Sequence, residues 1–176
     1  MRKLTLWTES ELHGISSAKT GGFTLHLCHF SIHNQPFTCL FSLVDLNDTS
    51  YLMFRSEEVG FLLQEPSYDV KFDRQDNFES GHFYASPVSQ ITRFGYRELL
   101  MLGEILTQII EQHYQTFNAK SYFANAENIR LKHFYDRLVR RGENRLNFEL
   151  NNNIGPGELG YAFKTPSFRT QKNDRT

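Results

Sequence analysis

Five side chains capable of metal ligation or thiol chemistry, His26, Cys28, His29, His33 and Cys39, fall within one short stretch of the chain. Their spacing does not suit a metal. Alternate residues of a strand face opposite sides, so His26 and His29 diverge. No C-x2-C pair and no H-x3-H pair on a helix accompanies them. If residues 23–30 and 37–44 pair around a turn at His33-Asn34, Cys28 lies across from Cys39. Two free, buried thiols in a reducing compartment are then expected. Nucleophile elbows of the G-x-S-x-G type and Walker loops are absent from the sequence. A second group is basic: Arg130, Lys132, Arg137, Arg140, Arg141 and Arg145 outnumber Glu127, Asp136 and Glu143. At helical spacing Arg130, His133, Arg137 and Arg141 form one row. Such a row suits the phosphates of nucleic acid, reached through Arg130, Arg137, Arg140 and Arg141, or of a cofactor, or an acidic protein.

The elements that must position these groups are those of an α/β chain. The 176 residues carry 19 basic and 20 acidic side chains, which removes the footprint of a globally basic nucleic-acid binder. Sixteen Phe and eight Tyr favour half-buried sheet positions. The N-terminus lacks the apolar core of a signal peptide and no stretch reads as a membrane span, so a cytoplasmic protein is expected. One domain over 1–164 and a flexible basic tail over 165–176 are expected. Strands are expected at 3–7, 23–30, 37–44, 51–55, 68–73 and 82–91, the last with a bulge or edge at Pro87. Residues 8–22 read as a polar connection and 57–64 as a short helix. Apolar residues at Leu99, Leu102, Leu106 and Ile109 predict a long helix over 97–117. A strand at 119–124 and a second helix at 128–141, capped by Gly142, follow. Closing strands are expected at 147–150 and 159–164.

This order, an antiparallel meander and then helix, strand, helix and strand, resembles the GNAT-type N-acetyltransferase superfamily. The match is carried by Asn128-x6-Tyr135-x-Arg137-Leu138 and covers roughly residues 82–164. It is most similar to small acetyltransferase-like proteins of phages and mobile elements. The resemblance implies a mixed, mostly antiparallel sheet flanked by the two helices, with acetyl-CoA as cofactor. It implies that Asn128 contacts the pantetheine arm and that Tyr135 is the general acid that protonates the departing thiolate. A phenol with a pKa near 10 is protonated at neutral pH and can do so.

The family holds the cofactor's pyrophosphate on a Gly-rich loop at the start of the long helix. Here that stretch is Thr92-Arg-Phe-Gly-Tyr-Arg97. Gly95 stands at the first glycine position, Arg97 at the second, and Val139 replaces the Gly that ends the second helix. The implied cofactor-binding residues are therefore Arg93, Gly95, Tyr96, Arg97 and Asn128, with Arg93 and Arg97 gripping phosphate through their side chains. Two expectations follow. One is acyl transfer from acyl-CoA to an amine, with His82 or Glu79 helping to deprotonate that amine; the altered loop argues against it. The other is a non-catalytic GNAT-like binding or inhibitor protein acting on a host protein or nucleoprotein complex.

Overall fold

A computed structural model describes residues 10–85 and 94–169. Among them are seven strands and four helices, mixed α/β, with mostly antiparallel pairing. The chain divides into two compact units, Met1–Ser42 with Val70–Gln112, and Leu43–Asp69 with His113–Thr176. The expected strand at 3–7, most of the one at 82–91 and residues 170–176 of the expected tail lie outside the described residues.

The first unit opens with an antiparallel ribbon of β1 (Ser10–Thr20), β2 (Phe23–Ile32) and β3 (Gln35–Leu43). His33 and Asn34 both adopt positive φ, 49° and 62°. That pair of left-handed residues matches the twist of the flanking strands and fixes their register. Cys28 accordingly faces Cys39, and both are buried thiols that form no disulfide. β1 replaces the connection expected over 8–22. Its alternation is interrupted by a register shift between Leu12 and Ile15, which hides the strand in the sequence pattern. The buried face of the ribbon carries Cys28, Phe30, Ile32, Phe37, Cys39 and Phe41. Phe30 stacks on Phe37 at 5.3 Å. Within the same unit α3 (Tyr96–Phe117) buries Leu102, Leu106 and Ile109 of the expected stripe together with Met101 and Ile105, while Leu99 is half-buried. Each large apolar side chain enclosed in this way contributes about 1.5–3 kcal/mol.

After β4 (Ser67–Arg74) comes a short helix, α2 (Gln75–Ser80), that no sequence pattern announces. A polar knot sets it: the Asp73 carboxylate accepts the backbone N–H groups of Arg74 and Tyr84 and the Asn77 amide. The Arg74 guanidinium forks onto Asp76 at 3.1 and 2.8 Å.

In the second unit α1 (Thr49–Val59) occupies the span expected as a strand over 51–55. The aromatic run Tyr51 to Phe54 is strand-prone by composition, but its boundaries are helical. Asp48 caps the start by accepting the Tyr51 N–H at 3.0 Å, and Gly60, at φ 82°, closes the end. β4 and β5 (Ser121–Asn125) start side by side: Lys120 N–H donates to Pro66 O at 2.7 Å, and the Ser67 and Ser121 hydroxyls meet at 2.6 Å. β5 then pairs with β7 (Gly160–Lys164), and β7 with β6 (Glu149–Ile154), both antiparallel. Between Asn152 and Ile154 the register slips, and Asn153 takes φ 57° there. Val44, Val59, Leu63, Phe123 and Ala162 form the apolar centre of this unit. The buried His113 ring bonds the Tyr122 hydroxyl at 2.8 Å.

α4 (Ile129–Leu146) continues past Gly142 and ends at Asn147, whose φ of 54° supplies the left-handed cap. The first residues of the expected tail are tied down. Thr165 Oγ1 donates to Ala119 O at 2.6 Å, and the Phe168 ring meets Phe61 edge-on at 5.2 Å.

Candidate functional site

The residues implied as cofactor ligands fall at the starts of two helices. Gly95 precedes α3, Tyr96 and Arg97 open it with both side chains exposed, and Arg93 lies outside the described residues. The exposed N–H groups of a helix start attract an anion. Here that anion is a side chain of the protein. The Glu98 carboxylate accepts its own N–H and that of Gly95, and these two bonds, helped by His33, hold it below the usual carboxylate range. His33 Nε2 lies 3.3 Å from Glu98 Oε1. Glu98 therefore reaches back to the residue before the helix, as the third residue of a capping box does.

Asn128 opens α4, and its side chain accepts the Leu131 N–H at 3.0 Å. Tyr135 is buried against Tyr161, with the rings 5.7 Å apart and edge to face. Both residues therefore serve the structure, since one caps the helix and the other packs its inner face. The basic row stands as its spacing predicts, with Arg130, His133, Arg137 and Arg141 all exposed. Lys132 and Arg140 leave that row and turn to a different place.

That place is a cleft of about 270 Å³ between α4 and β6, lined by Lys132, Asp136, Val139, Arg140, Leu150, Asn152 and Asn153. Its inner wall is a charged network. The buried Tyr161 hydroxyl donates to Asp136 Oδ1 at 2.5 Å, and Lys132 Nζ reaches the same oxygen at 3.3 Å. Lys132 Nζ also sits 4.9 Å above the Tyr161 ring, a cation–π contact. The Tyr161 hydroxyl, first by burial and then by the adjacent carboxylate, is pushed far above its ordinary pKa. It therefore holds its proton and serves as a fixed donor rather than a base. Asp136 is held low, first by the Tyr161 hydroxyl and then by Lys132.

Half of this cleft is visible in the sequence. Lys132, Asp136 and Arg140 follow one another at i, i+4 and i+8, so they share one edge of the helix. Tyr161 comes 25 residues after Asp136, and no periodicity links the two. Nor does the run Asn151-Asn152-Asn153 show its bulge in advance.

Among the described residues, no group of three or more His, Cys, Asp or Glu is placed to hold a metal ion. No helix among them is long and apolar enough to cross a membrane. Comparison with protein-family models, with curated proteins and with solved structures finds no match.

Proposed function

We propose that the chain is a non-catalytic binding protein of GNAT-like build that engages a nucleic acid or nucleoprotein complex through the outer face of α4. The observation that carries this reading is the exposed row Arg130, His133, Arg137 and Arg141 on one helix face, in a chain of net charge −1. Charge is segregated within the second unit. From Asn128 to Leu146 six basic residues face two acidic ones, while Asp45 to Asp69 holds six acidic residues and the single Arg55. A local cationic stripe of this kind attracts phosphates without making the whole protein basic.

The Glu98 cap supports the non-catalytic part of the reading. An acyl-CoA pyrophosphate at the start of α3 would have to displace a carboxylate from the Gly95 N–H and would meet its negative charge. Acetyl-CoA and CoA at millimolar concentration are expected to leave the unfolding temperature unchanged, because a ligand the native state does not bind cannot stabilise it. A rise of several degrees with either compound would restore the transferase reading.

Binding itself is read by fluorescence anisotropy with a short labelled DNA duplex at two salt concentrations. The double variant Arg130→Ala/Arg137→Ala is expected to bind at least roughly tenfold more weakly, with the salt slope reduced by about two. Equal affinity and equal slope in the variant would dismiss α4 as the binding face.

A further inference from the structure

We propose that the cleft between α4 and β6 is a separate binding site for a small carboxylate flanked by an amide, the chemistry shared by N-acyl amino acids and the C-terminal residue of a peptide. Its lining is mostly polar, with Val139 and Leu150 as the two apolar members. The cleft is close in size to the smaller ligand pockets of proteins.

The backbone of β6 is bent to build it. In a regular strand Asn152 and Asn153 would point to opposite faces. With the register slip at Asn152/Ile154 and the left-handed Asn153, both residues line the cleft, as residues at bulges beside binding sites do. Two adjacent carboxamides supply donors and acceptors without charge.

Charge selects the ligand class. The cleft holds two cations and one carboxylate. Lys132 is engaged by Asp136 and by the Tyr161 ring. The remaining positive charge is Arg140, whose Nε donates to the Asp136 backbone carbonyl at 3.2 Å. That bond uses one of five guanidinium N–H donors and anchors the group at the rim. A guanidinium matches a planar carboxylate bidentately. On the inner wall both Tyr161 and Lys132 bind Asp136 at Oδ1, so Oδ2 is the acceptor for an amide N–H of the ligand. Because the network is fixed by a buried tyrosine, the acceptor is in place before any ligand arrives.

The test is a titration of the full chain followed by ¹H–¹⁵N correlation spectra, which resolve the Asn152 and Asn153 side-chain amides. N-acetylglycine is compared with N-acetylglycinamide, and an acetylated tripeptide ending in free glycine with its amidated form. The carboxylate member of each pair is expected to bind at least roughly tenfold more tightly and to move both Asn amides. Arg140→Ala abolishes that difference, Arg140→Lys keeps part of it, and Lys19→Ala, an exposed cation on β1, leaves it intact. Tighter binding of the tripeptide than of N-acetylglycine identifies a peptide terminus as the ligand source, and the reverse identifies a free acyl amino acid. Equal binding of acid and amide, or undiminished binding to Arg140→Ala, overturns the proposal. Arg140 is exposed, and the same spectra show that the variant is folded.

Discussion

Replacing Tyr161 by alanine is expected to lower stability by about 3–5 kcal/mol, and replacing it by phenylalanine by about 1 kcal/mol. The side chain is 1 % exposed and contacts the Tyr135 ring at 5.7 Å and the Phe163 ring at 6.4 Å. Alanine removes that packing, leaves a cavity and strips Asp136 of its donor. Phenylalanine keeps the ring and removes only the hydroxyl, while Asp136 retains Lys132. Since natural domains hold about 5–15 kcal/mol in reserve, the alanine variant approaches unfolding and the phenylalanine variant does not. Urea unfolding with an unchanged slope measures both.

The same pair predicts a pH signature. Asp136 is depressed in the folded chain, first by the Tyr161 hydroxyl. Its contribution is fully present above the unfolded carboxylate pKa of about 4 and is lost as pH falls through the lower folded value. Tyr161 is shifted the other way, so its contribution is present below about pH 10 and is lost as pH rises further. The stability gap between the parent chain and Tyr161→Phe should therefore be widest near neutrality and close on the acid side. A gap that stays constant down to about pH 2 would show that the bond to Asp136 is not its source.

Gly160→Ala is the second large effect, about 2–3 kcal/mol of destabilisation. A Cβ at this position would lie 2.7 Å from both the Ile154 carbonyl oxygen and Ile154 Cγ1, and 3.3 Å from Asn125 Oδ1. Side-chain atoms can give way, but the carbonyl belongs to the strand paired with β7. Relief then requires the bulged end of β6 to move, so the variant should disturb Asn152 and Asn153 as well as stability. Gly14→Ala is the matched control: nothing lies within 4 Å of its added Cβ. It should be neutral or stabilising by up to about 1 kcal/mol, through the reduced freedom of the unfolded chain. Equal midpoints for the two variants in denaturant would mean that β7 does not approach Ile154 closely.

How much of the molecule is legible in its sequence follows from how local each determinant is. The β2–β3 hairpin is legible down to its register, because the His33-Asn34 turn and the two apolar strands are neighbours in sequence, and Cys28 does face Cys39. α3 is legible because its stripe runs for several turns. α1 reads as a strand because Tyr51 to Phe54 outweigh the caps at Asp48 and Gly60. Gly142 reads as the end of α4, yet a glycine inside a helix costs only about 1 kcal/mol, and the helix runs on to Leu146, where Asn147 supplies the left-handed cap. At the site, the α4 half of the cleft is written in the spacing of Lys132, Asp136 and Arg140. Its other half depends on a strand pairing and a bulge. Likewise Gly95 is visible, whereas the occupation of its N–H by Glu98 is a matter of side-chain rotamer.

β6 has one further consequence. It is an edge strand, paired only with β7 among the described residues. The main chain of an outermost strand is a template on which a second molecule can lay its own strand and extend the sheet. That requires N–H and C=O groups at regular intervals, and the slip at Asn152/Ile154 breaks the interval after a few residues. An incoming strand would lose register at Asn153 and meet a polar, unevenly spaced edge. The kink that shapes the cleft thus also makes the β6 edge a poor template for a further strand.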